Sequence, residues 1–374
     1  MNYLKVWYNF VKWSDCMRVI VAAGGTGGHI YPALAIINKI KEKEKDSDFL
    51  YIGTTDRMEK DIIPEKGIRF VGLEMSGLNR KNLFSNISVM KKFKKAIKEA
   101  MRLMDEFQPD IVIGAGGYIT APVLYAAHKK GIPTLIHEQN SIPGVSNKFI
   151  SRFANCICVS LPNSVKLFPK NKVVYTGNPR SEEILSVPVK KKSSLGFMDE
   201  KKLVVVVMGS LGSTTMTKKI LSLIPEFNQK NYQVLVITGE KYFEEYEKLD
   251  LADHVKIVPF LPDLISLMKD TDLLISRAGA STIAEITAIG LPSILVPSPY
   301  VTNNHQYKNA KELEEEGACV IVREDEFSND KILTEIDRLF DDKSLYEKMV
   351  QNSKKLGISD SATKIYEEAR RIIR

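Results

Sequence analysis

A cluster of four glycines lies near the start of the chain, between a short apolar run and a helix-like segment. The apolar run covers residues 18–23, the cluster reads Gly24-Gly25-Thr26-Gly27-Gly28-His29, and the helical pattern covers residues 32–37. Glycine lets a backbone approach a ligand closely, and a helix N-terminus offers free N–H groups to phosphate. The dinucleotide-binding spacing G-x-G-x-x-G fails, because its third glycine would fall at Ile30. A loop that only binds phosphate does not need a histidine. His29 therefore predicts that the cluster takes part in a reaction of the bound group as well as in binding it.

The length and composition favour a two-domain globular protein. A chain of 374 residues exceeds one ordinary core, and 44% hydrophobic with 26% charged residues is typical of globular proteins. The sequence has no apolar run of about 18 residues and no evident signal peptide, so we expect a cytoplasmic protein. The four cysteines include one close pair, Cys156 and Cys158, at strand spacing. We therefore expect reduced thiols, with neither a disulfide framework nor a zinc site.

Twelve short, β-branched apolar runs alternate with helical stretches. They cover residues 19–23, 49–52, 111–114, 134–137, 156–160, 173–176, 203–208, 233–238, 255–258, 273–276, 293–296 and 319–322. Strands that are covered on both faces have this nearly continuous apolar character. The fold class predicted is α/β, with two doubly wound parallel sheets that meet near residues 177–180.

Two more glycine loops follow predicted strands, at residues 114–118 and 209–213. Ligands of doubly wound folds bind outside the carboxyl ends of the strands. Three such loops in two domains therefore predict one ligand-binding cleft between the domains. The alternative is that each glycine serves only a tight turn between a strand and a helix.

Positive charge is concentrated in one segment. Residues 80–102 hold eight lysines or arginines and one acid, Glu99, so this segment alone carries +7, as does the whole chain. The alternatives are an anionic membrane surface, a nucleic acid, or a solvated helix face. Apolar residues interleaved with the basic ones favour a membrane surface; they are Leu78, Leu83, Phe84, Ile87 and Met90. The segment has few base-stacking aromatics and no nucleic-acid motif, so we expect no nucleic acid partner.

Several motifs, in their order and spacing from Met17 almost to the C-terminus, resemble the MurG family of glycosyltransferases. They are residues 24–35, Gly116-Gly117-Tyr118, His137-Glu138-Gln139-Asn140, Gly177-Asn178-Pro179-Arg180, residues 277–282 with Glu285, Gly290-Leu291-Pro292, and Asn304-His305-Gln306-Tyr307 with Asn309. The chain departs from the family at Met208 and Ser213 in the third glycine loop, and at His305, where some members have glutamine. These departures weaken the parallel at the diphosphate loop and at His305.

The resemblance implies a GT-B fold, with two Rossmann-like domains and a nucleotide sugar between them. The domains implied are an extension at 1–16, an N-terminal acceptor and membrane-associating domain at 17–178, a C-terminal UDP-GlcNAc-binding domain at 179–358, and a final helix at 359–374 that returns to the N-terminal domain. The extension is aromatic-rich, and it is either a mis-assigned start or a membrane-interface anchor.

The activity implied is inverting transfer of N-acetylglucosamine from UDP-GlcNAc to the 4-hydroxyl of the muramoyl sugar of lipid I, an undecaprenyl-linked acceptor. The product is lipid II, made for peptidoglycan at the cytoplasmic face of the membrane by a peripheral enzyme without a cofactor. Other proteins of cell-wall synthesis and division are implied as partners. The alternatives are a diacylglycerol glucosyltransferase, a UDP-GlcNAc 2-epimerase, and a non-catalytic nucleotide-sugar or nucleic-acid binding protein.

Inverting transfer needs a base for the acceptor hydroxyl and stabilisation of the leaving diphosphate. His29 is the leading candidate for the base, because its unperturbed pKa lies near 6.5. Its alternative role is to bond the glycine loop. His137 and Glu138 are the rival pair for this proton transfer, and their alternative role is to hold Asn140 in place.

The other site residues are expected to bind the two substrates. Ser210 and the N–H groups after it would take the diphosphate, and Arg180 would add a charge or form an interdomain ion pair. Glu285 would bind the ribose diol beside the N–H groups of Ala280, Ser281 and Thr282, unless it only caps its helix. Phe260 and Leu261 would contact uracil, although Phe260 could be plain core. Gln306 and Asn309 would bind the transferred sugar, and the N-terminal side would contribute Thr26, Gly27, Gly28, Tyr118 and Asn140.

Two D-x-D sequences raise the question of a metal. They are Asp46-Ser47-Asp48 in a charged loop and Asp270-Thr271-Asp272 before a predicted strand. Neither is next to a glycine loop. We therefore expect no essential metal, with helix dipoles in its place.

Overall fold

The computed structural model describes residues 16–77, 86–208, 214–245 and 249–373. Three sequence predictions fall on residues outside these ranges. They are the extension up to residue 15, the third glycine loop with Ser210, and the segment with Leu78, Arg80, Lys81, Leu83 and Phe84.

The first half of the chain forms a seven-stranded parallel sheet. Its strands are β1 (Arg18–Ala22), β2 (Asp48–Thr54), β3 (Arg69–Leu73), β4 (Ile111–Gly114), β5 (Thr134–Glu138), β6 (Cys156–Val159) and β7 (Val173–Tyr175), in the order β3-β2-β1-β4-β5-β6-β7. Val21 pairs with Tyr51 of β2 on one side and with Ile113 of β4 on the other. The sequence prediction did not include β3, because its apolar residues are few, with Arg69 at one end and Gly72 among them.

The second half forms a six-stranded parallel sheet. Its strands are β8 (Leu203–Val207), β9 (Gln233–Ile237), β10 (Val255–Val258), β11 (Leu273–Ser276), β12 (Ser293–Leu295) and β13 (Val320–Ile321), in the order β10-β9-β8-β11-β12-β13. In each sheet the strand order reverses direction beside the first strand, since β1 lies between β2 and β4 and β8 lies between β9 and β11. The prediction of two doubly wound parallel sheets is confirmed.

Helices cover both faces of the sheets. They are α1 (Gly27–Lys43), α2 (Glu59–Glu65), α3 (Asn86–Phe107), α4 (Thr120–Lys129), α5 (Val145–Ile150), α6 (Pro162–Val165), α7 (Arg180–Ser186), α8 (Thr214–Leu221), α9 (Ile224–Phe227), α10 (Leu264–Leu267), α11 (Ala280–Ile289), α12 (His305–Glu315), α13 (Asn329–Asp341), α14 (Lys343–Leu356) and α15 (Ser361–Ile373). Short 3-10 turns occur at Lys192–Leu195, Glu240–Glu245, Met268–Asp270 and Thr302–Asn304. Within the described ranges, no helix is long and apolar enough to span a bilayer.

Alternate residues of each central strand enter different cores. In β1, Ile20 and Ala22 pack with α3 and α4, whereas Val19 and Val21 pack with α1 and α15. This arrangement explains why these strands read as continuous apolar runs rather than as an alternating pattern.

The final helix, α15, packs on the first domain. Ile365 and Ala369 are buried in the core that contains Val19 and Val21. Its first turn is tied to the seam between the domains, because the Ser361 hydroxyl donates a hydrogen bond to the Asn178 carbonyl at 2.6 Å. The helix therefore joins the chain end to the N-terminal sheet, as the resemblance implies.

We predict that Ile365→Ala lowers the free energy of unfolding by about 3 kcal/mol, because it removes a fully buried side chain and leaves a cavity. Urea unfolding followed by circular dichroism measures the change. Ile372→Ala is the control, since Ile372 is only half-buried on the same helix. Equal losses in the two variants would contradict a core role for α15.

Candidate active site

The first two glycine loops pack against each other at the carboxyl ends of β1 and β4. The Gly24 N–H donates to the Gly116 carbonyl at 3.2 Å. Gly116 and Gly117 have φ values of +101° and +91°, which side chains rarely adopt. A Cβ on Gly116 would lie 2.5 Å from His29 Cδ2, and one on Gly117 would overlap the Gly24 carbonyl. The glycines therefore allow a close approach between the loops as well as a turn.

The His29 side chain lies in the first turn of α1, half-buried between these loops. Its Nδ1 is 3.0 Å from the Gly24 carbonyl oxygen. A carbonyl oxygen only accepts hydrogen bonds, so Nδ1 carries the proton and Nε2 keeps its lone pair. Among the described residues, no hydrogen bond reaches Nε2. The loop contact and the base role, which the sequence left as alternatives, are thus compatible.

Several charges and dipoles act on the imidazole. Burial lowers the pKa of His29 below its usual value, and the positive charge of His305 acts in the same direction. The Gly24 hydrogen bond and the negative charges of Glu138 and Glu59 raise this pKa. The net direction is downward, which leaves His29 neutral and able to accept a proton at pH 7.

Glu138 at the end of β5 has both carboxylate oxygens engaged. Oε1 accepts from the Asn140 backbone N–H at 3.0 Å and from its side-chain amide at 3.3 Å. Oε2 accepts from the Gly144 N–H at 3.0 Å and from the Asn147 amide at 2.9 Å. Glu138 therefore makes the contacts of its alternative role, holding Asn140 and its loop, and its catalytic role stays a prediction.

His137 is a buried structural residue. Its Nε2 lies 3.3 Å from the Gly177 carbonyl and 3.1 Å from the Ser160 hydroxyl, while Nδ1 lies 3.1 Å from the Gln139 amide nitrogen. Burial lowers the pKa of His137 to about 4. The neutral ring thereby links β5 to the seam between the domains.

The second domain presents the start of α11 to the cleft. Gly279 has an extended backbone before the helix, so the first N–H groups, those of Ala280, Ser281 and Thr282, have no partner within the helix. The three residues are half-buried. They form a candidate anion site, as the sequence predicts.

Glu285 and Arg180 bind each other. Arg180 Nε and a terminal nitrogen lie 2.8 and 2.5 Å from Glu285 Oε1, and Arg180 also pairs with Glu183. Burial raises the pKa of Glu285, and the Arg180 guanidinium opposes that rise. Arg180 thus has ion pairs, but with partners of its own domain (179–358) and not between the domains as the alternative had it. The roles of Arg180 at the diphosphate and of Glu285 at the ribose stay predictions.

An amide network joins the two domains. Asn309 Oδ1 accepts from the Ser141 N–H at 2.9 Å and from its hydroxyl at 3.0 Å, and Asn309 Nδ2 donates to Asn140 Oδ1 at 3.1 Å. Two predicted sugar contacts, Asn140 and Asn309, are thus brought together and hydrogen-bonded to each other. Gln306 instead accepts from the Ser298 N–H at 2.8 Å through Oε1.

The remaining predicted binding residues are accessible. Phe260 follows β10 and is 62% exposed, so the alternative of a core position is wrong, while Leu261 is half-buried. Tyr118 is 54% exposed. Thr26 and Gly28 are exposed and Gly27 is half-buried at the start of α1.

Sequence reasoning missed Glu59 and Ser141. Glu59 is buried and accepts the Gly25 N–H at 3.1 Å. Ser141 contributes to the amide network described above. Neither belongs to a motif with a recognisable chemistry, and only the tertiary structure brings them to the glycine loop and to α12.

The two D-x-D sequences have structural contacts. Asp272 accepts from the Leu203 N–H at 2.7 Å and pairs with Lys192, and Asp270 accepts from the Lys192 N–H at 2.8 Å. Asp48 begins β2. In the described ranges, no group of three or more potential metal ligands occurs.

Comparison with known families places the chain. The pattern of the Glycosyltransferase family 28 N-terminal domain matches residues 19–159, and that of the Glycosyltransferase family 28 C-terminal domain matches residues 203–365. The chain belongs to glycosyltransferase family 28. The division between the two matched domains agrees with the two sheets of the structure.

Individual members of this family are similar over almost the whole chain. A protein of Bacillus licheniformis is 42% identical over 355 residues, which are 94% of this chain and 97% of that protein. It is named UDP-N-acetylglucosamine–N-acetylmuramyl-(pentapeptide) pyrophosphoryl-undecaprenol N-acetylglucosamine transferase. The crystal structure of Acinetobacter baumannii MurG matches with a TM-score of 0.75 at 27% identity, covering 95% of this chain and 99% of that one. The GT-B fold is thereby confirmed.

A UDP-GlcNAc 2-epimerase from Neisseria meningitidis, solved with UDP-GlcNAc bound, has the same fold. Its TM-score is 0.66 over 95% of this chain and all of the epimerase, at 15% identity. This likeness shows the fold alone.

We predict that stability falls as the pH drops from 6.5 toward 5. The unfolded chain protonates His137 near pH 6.5, whereas the folded chain keeps it neutral to about pH 4, so the unfolded state binds more protons in this window. The slope from one such group approaches about 1.4 kcal/mol per pH unit. Urea unfolding at several pH values measures it.

His137→Gln should flatten that slope but not abolish it, because the lowered pKa of His29 contributes with the same sign. Equal slopes in wild type and variant would contradict the neutral, buried state of His137.

Proposed function

We propose that this chain transfers N-acetylglucosamine from UDP-GlcNAc to the 4-hydroxyl of the muramoyl sugar of lipid I, with inversion, and so forms lipid II for peptidoglycan. The observation that carries the proposal is the 42% identity to the Bacillus licheniformis transferase over nearly the full length of both chains. The geometry of the cleft is consistent with that chemistry.

The reaction is a single displacement in which the acceptor oxygen attacks the anomeric carbon of the donor sugar. The bond from that carbon to the diphosphate breaks, and UDP leaves with the electron pair. His29 Nε2 takes the proton of the acceptor hydroxyl, which is the role left to it by the proton on Nδ1. The first N–H groups of α11 face the charge that develops on the leaving diphosphate.

The proposed donor contacts are those that the resemblance implies. Glu285 would accept the two ribose hydroxyls and Arg180 would meet the diphosphate, so donor binding would exchange their ion pair for contacts to the substrate. Phe260 would cover the uracil and the Leu261 backbone would read its edge, with Ser210 at the diphosphate. Gln306 and the amides of Asn140 and Asn309 would bind the transferred sugar.

Transfer from radiolabelled UDP-GlcNAc to a lipid I analogue tests the proposal. Wild type should produce the lipid II analogue. His29→Ala should lower kcat by at least about 100-fold, since it removes the general base, with little change in KM for the donor. Glu285→Ala should instead raise the KM for UDP-GlcNAc, because it removes a ribose contact.

Two further arms of this assay separate the alternatives. An epimerase would convert UDP-GlcNAc without an acceptor, so donor alone should remain unchanged. A chelator should leave the rate unaltered if helix N–H groups rather than a metal stabilise the diphosphate. Transfer to diacylglycerol instead of lipid I would reject the proposed acceptor.

We further propose that the enzyme acts as a peripheral protein on an anionic membrane at its cytoplasmic face. Ile87 and Met90 on α3 are 60% and 50% exposed, beside Lys91 and Lys94. The adjacent α5 adds the exposed Phe149, whose ring packs against Phe93 of α3 at 6.3 Å. Exposed apolar side chains among lysines suit the boundary between headgroups and acyl chains.

Reversing the charges of Lys91, Lys92, Lys94 and Lys95 to glutamate should weaken binding to phosphatidylglycerol-containing vesicles by at least about 100-fold, at roughly 1 kcal/mol per basic residue. Vesicle co-sedimentation measures this loss, and UDP binding should persist. The matched control reverses four exposed lysines of the second domain, Lys343, Lys348, Lys354 and Lys355. Equal vesicle binding by wild type and the α3 variant would refute the membrane face.

A further inference from the structure

Glu59 is a buried carboxylate that has no role in the reaction as proposed above. It begins α2, is fully buried, and lies beneath the first glycine loop. Its Oε1 accepts from the Thr54 N–H at 2.9 Å and from the Thr54 hydroxyl at 2.6 Å, at the end of β2. Its Oε2 accepts from the Gly25 N–H at 3.1 Å.

The contact to Gly25 reaches His29 through one peptide unit. The N–H of the Gly24–Gly25 peptide donates to Glu59, and the C=O of that same peptide accepts the His29 Nδ1 proton at 3.0 Å. A peptide plane is rigid, so fixing its N–H fixes the direction of its C=O. An ionised acceptor on the N–H also polarises the peptide and strengthens the bond that its C=O accepts.

The surrounding backbone is shaped to admit the carboxylate. A Cβ on Gly24 would overlap Glu59 Oε1, and one on Gly53 would lie 2.6 Å from Glu59 Cγ. Gly25 has a φ of +97°, a conformation that residues with a side chain rarely adopt. Side chains at 24 and 53 would thus displace Glu59.

We propose that Glu59 is a positioning residue for His29, which acts through the Gly24–Gly25 peptide to keep the imidazole proton on Nδ1 and the lone pair on Nε2. The inference rests on the proposed function, in which His29 is the base. In this inference the first glycine loop does more than leave room for the substrate, because its backbone also orients His29.

Glu59 also acts on His29 by its charge. The groups whose charge or dipole acts on the pKa of the imidazole are Glu138 from β5, His305 from α12, Glu59 from α2 and the Gly24 carbonyl, and the buried His137 of β5 is also electrostatically linked to it. The charge of Glu59 raises the pKa of His29, against the larger lowering by burial. Replacing Glu59 with a neutral group should therefore make His29 a weaker base, with a lower pKa.

The test compares Glu59→Gln with wild type in the lipid I transfer assay across pH. We expect kcat to fall by about 10-fold or more, with KM for UDP-GlcNAc within two-fold. The acid limb of kcat/KM should move to lower pH. A merely structural loss would reduce the active fraction and leave the position of that limb unchanged.

Two variants control for loss of a buried carboxylate. Glu335→Gln removes a buried carboxylate of α13 that pairs with Lys331 and Arg338 in the other domain, and it should keep the wild-type pH profile. Thr54→Val removes one hydrogen bond to Glu59 but not the Gly25 contact. It should lower the melting temperature and leave the pH profile in place.

Nitrogen-15 spectra of the full-length protein with labelled histidines give a second readout, the tautomer of His29. This readout can be obtained even from a variant without transfer activity. We expect His29, assigned by its loss in His29→Ala, to carry its proton on Nδ1 in wild type. In Glu59→Gln it should shift toward the Nε2–H tautomer.

Each outcome decides between defined alternatives. An unchanged acid limb and tautomer in folded Glu59→Gln would overturn the positioning role, and so would a proton on Nε2 in wild type if the variant does not fold. An inactive wild type, or a fully active His29→Ala, would instead reject the proposed function itself.

Discussion

The close contact between two glycine loops at the carboxyl ends of β1 and β4 is the constraint on which the site depends. Because Gly116 and Gly117 carry no side chains, the second loop lies against His29 and the Gly24 carbonyl. The imidazole is consequently held at the mouth of the N-terminal sheet, where a doubly wound fold binds its ligands. The second loop thus bounds the position of the His29 ring, while the Gly24 carbonyl of the first loop fixes its tautomer.

Several polar groups of the cleft bind one another. Arg180 pairs with Glu285, and Asn309 binds Asn140 and Ser141 of the opposite domain. Buried polar groups cost free energy when they lack partners, so these mutual contacts stabilise the arrangement described here. In the proposed function, the donor would replace these contacts with its hydroxyl and phosphate groups.

The sequence predicted those parts of the structure that depend on local pattern. Each of the twelve apolar runs corresponds to a strand, and the central strands are apolar throughout because both of their faces are buried. The edge strand β3 was not predicted, because Arg69 and Gly72 leave Phe70 and Val71 as a short apolar pair and not as a run. Glu59 and Ser141 could not be predicted, since folding alone brings them to their partners. The sequence left two alternatives for Glu138, a catalytic role and a role in holding Asn140. The four hydrogen bonds that its carboxylate accepts favour the second.

The most direct measurement of the central claim is a crystal structure of the protein with UDP-GlcNAc. We predict the diphosphate at the N-terminus of α11, the ribose on a Glu285 carboxylate released from Arg180, and the sugar facing His29. Density for the nucleotide sugar outside the cleft between the two sheets would contradict this prediction. So would a bound donor in the cleft with its anomeric carbon turned away from His29.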